Sequence, residues 1–286
     1  MQIHRPFAPA CTAAIVALYA AGCGPAGGRD GAPSKNRVRP APQAGASDRV
    51  PADFDVTRLT RDALVVKTEP FAANSLVVRT ANGTVVLVDT PMTPADTAAL
   101  LELVRERWGA VPSYAIASHW HADASGGNQV LVDAGIELVS SALTASLLAE
   151  RGAAMRDHLV AMFRERDPQT ARELAALRPT PAPRPIEIGH RTTLVLGGER
   201  VDLVYPGPSH SVDSIGVWFP DRRLLYGGCA VRSDGRISNR AESNADGWVR
   251  ALEVFAALDP ELVVPGHGPR FDPEMIAESI AAARGL

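Results

Sequence analysis

Apolar residues in this chain cluster in short valine-rich runs at 63–67, 75–79 and 84–88, each flanked by polar or turn-forming positions. Runs of this length, rich in β-branched residues, predict strands. Asn82-Gly83 lies between the last two and is a strong hairpin signal. Pro94 opens a helical stretch that reaches Trp108, with apolar residues at Ala98, Leu101 and Val104 on one face. A short strand is predicted from Tyr114 to Ser118, a helix from Gly126 to Asp133 and a strand from Ile136 to Ser140. Residues 141–178 form a long, charged helical stretch with Arg/Glu pairs on a solvent face, and Pro179 to Pro185 breaks it. Strands return at 192–196, 199–205, 214–219 and 223–227, followed by a helix over 245–258, a strand over 261–264 and a closing helix over 272–284.

Strands, then helices, then the same order again suggest two similar halves packed sheet to sheet with helices outside. No short internal repeat ties the halves together. The chain has 286 residues, 46% of them hydrophobic, which is enough to bury a sizeable core. A net charge of −3 gives no reason to expect nucleic acid as a partner. No run of about 18 apolar residues appears, so a spanning helix is not expected in the mature protein. The cysteines, Cys11, Cys23 and Cys229, are too few and too scattered for a disulfide framework.

The first 23 residues read as an export signal. Arg5 sits in a short leading region, a modestly apolar stretch runs from Cys11 to Ala21, and small residues precede a cysteine in Ala20-Ala21-Gly22-Cys23. The segment resembles a bacterial lipoprotein signal, in which Cys23 is lipidated; ordinary secretory cleavage near Ala20 to Gly22 is the other reading. Gly24, in place of an aspartate, suggests sorting to the outer membrane by the same resemblance. Residues 24–52, rich in Pro, Gly and Ala, read as a disordered tether. The folded domain is expected over 53–286, in the periplasm, as a monomer that can be anchored to the membrane through Cys23.

The strongest chemical signal is His119-Trp120-His121-Ala122-Asp123. Histidine and aspartate are zinc ligands, and alternating positions after a strand end can aim several side chains at one point. Three further candidates follow apolar strands through Gly-rich or polar turns: His210 in Pro206-Gly207-Pro208-Ser209-His210, Cys229 in Tyr226-Gly227-Gly228-Cys229, and His267 in Pro265-Gly266-His267-Gly268. Loops at one edge of a rigid sheet are where sites are built. Four of the seven histidines fall in these motifs; His158 and His190 carry no signal.

These motifs resemble the metallo-β-lactamase superfamily, and within it subclass B1, over nearly the whole domain. The resemblance implies an α+β fold, an αββα sandwich of two mixed β-sheets with helices outside. It implies two zinc ions, one bound by His119, His121 and His210, the other by Asp123, Cys229 and His267. His119 stands where subclass B2 has asparagine. Ala124 stands where subclass B3 and the glyoxalase-II-like hydrolases have histidine, and those also lack the cysteine. A thiolate ligand would account for a lone cysteine in an oxidising compartment.

The implied function is hydrolysis of the amide bond of β-lactam antibiotics, small-molecule substrates, by a zinc-activated hydroxide oriented by Asp123. An MBL-fold hydrolase of another ester, thioester or lactone is the competing function. Arg232 matches the lysine that grips the substrate carboxylate, with a solvated surface arginine as the other reading. Asn239 matches the asparagine that donates to the substrate carbonyl, although Asn244 could fill that role. Asp89 matches an aspartate behind the ligands, or caps a turn. The family's hairpin flap has little room between Lys67 and Ser75, where Phe71 is the one large apolar residue. Residues 145–185 are expanded instead, either as a replacement lid or as a surface elaboration.

Overall fold

A computed structural model of the chain describes residues 54–233 and 242–285. The proposed signal and tether therefore lie outside the described residues. The N-terminal half contains β1 (Asp55–Thr60), β2 (Ala63–Thr68), β3 (Ala73–Arg79), β4 (Val85–Val88), α1 (Pro94–Trp108), β5 (Tyr114–Ile116), α2 (Ala122–Ser125), α3 (Asn128–Asp133), β6 (Glu137–Val139), α4 (Ala142–Phe163) and α5 (Pro168–Ala175). The C-terminal half contains β7 (Arg191–Leu196), β8 (Glu199–Val204), β9 (Gly216–Phe219), β10 (Leu224–Arg232), α6 (Ala245–Ala256), β11 (Leu262–His267) and α7 (Glu274–Arg284).

The valine runs do not alternate with polar residues because both faces of their strands are covered. In β3, Leu76 and Val78 face the centre of the molecule while Val77 faces α1; in β4, Val86 and Val88 point inward while Leu87 packs under the same helix. In β10, Leu224 and Tyr226 face the centre, and Leu225 faces Trp248, Leu252 and Phe255 of α6. The central cluster joins residues of both halves, including Leu76, Ile116, Val217 and Phe219. The layers are therefore helix, sheet, sheet, helix, as expected from the sequence. Each sheet is mixed: β4, β5 and β6 run parallel beside the antiparallel β1 to β4, and β10 and β11 run parallel beside the antiparallel β7 to β10. The sheets touch at one antiparallel pair, His267 with Ala73, so the hydrogen-bonded strand order runs continuously from β6 to β7.

Two sequence expectations need correction. β1 had no counterpart in the predicted elements; its residues are mostly exposed, and it holds on as an edge strand through its ladder with β2. Cys229 and His267 were placed just past their strands, but β10 continues to Arg232 and β11 to His267. The register between these strands shifts at Tyr226/Gly228, where Gly228 adopts φ 54°, so the pairing resumes beyond the irregularity. The short link between β2 and β3 is as expected, with only residues 69–72 between the strands.

Candidate metal centre

The six candidate ligands converge on one edge of the sandwich. After β5 the chain bends through His119, Trp120 and His121, and His121 is the N-cap of α2, which places Asp123 in the first turn of that helix. His210 lies in the loop after β8, pinned where the Asn244 amide donates to the Ser209 carbonyl at 2.9 Å. Cys229 and His267 come from the paired strands β10 and β11.

His267 Nε2 lies 3.0 Å from Asp123 Oδ2 and 3.3 Å from Cys229 Sγ, and that sulfur is 3.3 Å from Asp123 Oδ2. Three ligands of a tetrahedral zinc would stand about 3.3–3.6 Å apart, close to this triangle. The imidazoles of His119, His121 and His210 meet edge to face, with ring centroids 4.7 to 5.1 Å apart. The two groups merge, since ligand atoms of His119, His210 and Cys229 lie within 4.8 Å of one another, as do those of His119, His121 and Asp123.

The hydrogen bonds fix which ring nitrogen is free. His267 Nδ1 lies 2.9 Å from the Phe71 carbonyl, which can only accept, so Nδ1 carries the proton and Nε2 turns a lone pair to Asp123 and Cys229. His121 Nε2 is 2.9 Å from Glu242 Oε2, which leaves His121 Nδ1 facing His210 Nε2 at 3.2 Å. The Ser118 hydroxyl donates to Asp89 Oδ2 at 2.6 Å and lies 3.1 Å from His119 Nδ1, which leaves His119 Nε2 buried without a hydrogen bond, 3.8 Å from Asp123 Oδ1. Imidazole nitrogens, a carboxylate oxygen and a sulfur converging at these distances form a donor set that fits bound metal.

Electrostatics agree. Burial, reinforced by His121, lowers His119 to about 3. Burial and the two neighbouring imidazoles hold His210 well below its ordinary value, so both rings are in the neutral, ligating form. Burial pulls the Asp123 carboxyl up, but the contact with His267 and the positive field of His119, His267 and His121 outweigh it and hold the carboxyl well below its ordinary value. Burial, with Asp123 and Asp89 nearby, pushes the Cys229 thiol well up, so only a metal would make it a thiolate.

Behind the ligands, Asp89 is buried and adopts φ 58°. Its carboxylate accepts from the Ser118 amide and hydroxyl, each at 2.6 Å, and from the Tyr226 hydroxyl at 2.8 Å. Asp89 thus orients His119 through Ser118 rather than capping a turn. The Asn74 side chain donates to the carbonyls of Pro265 and Gly268 and clamps the turn around His267. Neither Asn74, Ser118 nor Glu242 was picked from the sequence. Ser118, next to His119, carried a weak positional signal; Glu242 and Asn74 are brought in only by folding.

A cleft of about 790 Å³ opens over the cluster, within the usual range for small-molecule sites. Arg232 lines it and is only 7% exposed, which rules out a solvated surface arginine. Phe71 lines it too, its ring 5.6 Å from that of Phe163 at the end of α4. The far wall is α4 itself, so the expanded segment borders the site, and His158, given no role from the sequence, is on that wall. Asn239 lies outside the described residues. Asn244 does not line the cleft; it caps α6 with its side-chain oxygen on the Gly247 amide, so the alternative role considered for it is not supported.

The profile of the metallo-beta-lactamase superfamily matches residues 68–267, and the chain belongs to that superfamily. It is 31% identical over 204 residues to a metallo-beta-lactamase type 2 from Bacillus cereus, covering 70% of this chain and 68% of the relative. It is 26% identical to a metallo-beta-lactamase type 2 from Pseudomonas aeruginosa, covering 78% and 82%. Among solved structures, a metallo-beta-lactamase from Pontibacter korlensis superimposes with a TM-score of 0.67 at 22% identity, covering 82% of this chain and 100% of that one. The fold and the presence of a metal-binding centre are therefore those of the family.

Proposed function

We propose that the protein is a B1-type β-lactamase that works with two zinc ions, one on His119, His121 and His210 and one on Asp123, Cys229 and His267. The observation that carries this reading is the Asp123–Cys229–His267 triangle merged with the imidazoles of His119, His121 and His210. The cysteine in the second group, together with Ala124 after Asp123, separates the set from histidine-only hydrolases of the fold. The type 2 relatives support the same substrate class.

Zinc bound there would supply Lewis acidity for a carbonyl oxygen and a water deprotonated near neutral pH. The chain's own groups do the rest. Asp123, held ionised at the junction of the two groups, orients the nucleophile by accepting its proton. Arg232, buried at the cleft floor, receives the carboxylate carried by a β-lactam nucleus through a charge-assisted fork. Asp89–Ser118 and Glu242 hold His119 and His121 in their ligating orientations. Phe71 covers the substrate from the β2–β3 link. Asn239 remains the proposed donor to the lactam carbonyl.

The test is hydrolysis of a chromogenic cephalosporin and a carbapenem by protein lacking residues 1–23, with zinc, with chelator and with Cys229→Ser. Turnover that chelator abolishes and zinc restores, with a large loss in the variant, supports the reading. A folded, zinc-loaded protein that opens neither lactam would overturn it and direct attention to esters, thioesters or lactones. The protein is further proposed to act as a periplasmic monomer anchored through Cys23. Incorporation of a labelled fatty acid by the full chain, abolished in Cys23→Ala, tests the anchor.

A further inference from the structure

Along the C-terminal part of α4, the residues that face the cleft fall at helical spacing: Arg151, Ala154, Met155, His158, Leu159 and Met162. One helix face is thus turned to the metal centre, with Met155, Leu159 and Met162 around His158 along it and Arg151 beside Glu150 at its N-terminal end.

The wall is registered to the metal centre at both ends. Near its N-terminus, Thr144 Oγ1 donates to the buried Asp213 at 2.8 Å, and Asp213 also accepts from Ser211, the neighbour of His210, at 2.7 Å. At its C-terminus, Phe163 packs on Phe71, whose carbonyl accepts from His267. The helix is therefore indexed to a ligand of each proposed zinc. A loop lid would lack such ties, and a surface elaboration would not need them.

The charges in the cleft are unevenly committed. Glu150 accepts from the Ser146 hydroxyl at 3.1 Å, and Glu242 is engaged with His121. Arg232 is buried near the ligands, whereas Arg151 is exposed on the far wall and pairs with no carboxylate among the described residues. Two arginines thus line one cleft, Arg232 buried and Arg151 exposed on α4, together with the apolar side chains of Met155, Leu159 and Met162.

We propose that this face of α4, with Phe71, is a fixed subsite for the acyl side chain of the substrate. Met155, Leu159 and Met162 take its apolar or aromatic body, and Arg151 reads a carboxylate carried on it. The favoured substrates are dianionic β-lactams, one carboxylate on Arg232 and the other on Arg151. This rests on the β-lactamase reading and adds to it which members of the class are selected and by which residues.

The test compares three penicillins that share a nucleus: one without an acyl side chain, one with a benzyl side chain, and the α-carboxybenzyl analogue. Arg151 and Met162 are exposed, so their replacement leaves the fold intact. Arg151→Glu should lower kcat/KM for the carboxybenzyl compound about tenfold, mainly through KM, and leave the other two within about twofold. Met162→Asn should raise KM for both benzyl compounds by about threefold and leave the compound without a side chain unchanged. Equal losses on all three substrates, or no change on any, would overturn the subsite while leaving the lactamase reading intact. Failure of the zinc-loaded parent to open any of the three would overturn both.

Discussion

Gly266 on β11 packs directly against Cys229 on β10. A Cβ built at this position would lie 2.6 Å from the Cys229 amide nitrogen, 2.6 Å from its Sγ and 2.7 Å from its Cα. Ordinary carbon contacts are about 3.5–4.0 Å, so Gly266→Ala creates three overlaps of roughly 1 Å at one residue. The sulfur could rotate away, but only by leaving Asp123 and His267, each 3.3 Å from it. The nitrogen and Cα cannot rotate at all, so β10 and β11 must part beside the Gly228–Pro265 pair. Overpacking of this kind costs about 1–3 kcal/mol. For a domain of this size that lowers the unfolding midpoint of the metal-free protein by roughly 3–10 °C. The displacement also falls on a ligand atom, and a misplacement of about 1 Å at a reacting centre can cost on the order of a hundredfold in rate. Calorimetry of the metal-free protein reads the first effect. The thiolate-to-metal absorption of the cobalt-substituted protein reads the second without reference to any substrate. Gly189→Ala, with nothing within 4 Å of the added methyl, is the control and should change neither. A Gly266→Ala protein with the parent's midpoint and the parent's cobalt spectrum would refute the reasoning, because the strands would then have room that the distances deny.

Other consequences follow from the same geometry. Because the Cys229 thiol keeps its proton without metal, zinc binding at neutral pH should release about one proton that Cys229→Ser does not, read as the buffer dependence of the binding heat. The same variant should keep high-affinity binding at the three imidazoles; loss of all binding would mean that the groups are not separable. Arg232→Ala should raise KM for β-lactams by at least tenfold while changing kcat less, and an unchanged KM would remove the carboxylate role. Burial raises the Asp89 carboxyl to about 7 in the metal-free protein, despite its hydrogen bonds from Ser118 and Tyr226. The folded state therefore keeps a proton that the unfolded chain releases from about pH 4 upward, so stability from this group is full below about pH 4 and is lost as pH rises through about 7. The stability difference between the metal-free parent and Asp89→Asn should move against the parent across that window; a flat difference would contradict the assignment.

How much of this was legible in the sequence depended on how local the cause was. Strands β2 to β4 could be read because continuous apolar runs need two covered faces, and the Asn82-Gly83 hairpin needs a residue at positive φ, which Gly83 supplies at 88°. The six candidate ligands could be picked out because histidine, aspartate and cysteine are metal-binding types, each sits in a distinct turn motif, and the set resembles that of a known family. Arg232 was identified by its spacing from Cys229, but only its burial told a cleft residue from a surface one. β1 escaped because an exposed edge strand has little apolar pattern. The extension of β10 through Cys229 escaped because it depends on pairing with a strand some forty residues away. Asn74, Glu242 and the α4 wall escaped for a related reason: their partners are the Pro265 and Gly268 carbonyls, His121 and the open cleft, none of them near in sequence. The sequence by itself determined the layer architecture, the candidate ligands and the short β2–β3 link, because burial periodicity and side-chain chemistry act residue by residue. Only the tertiary structure decided which ring nitrogens are free and that α4 closes the cleft, because those depend on hydrogen bonds and packing between segments far apart in the chain.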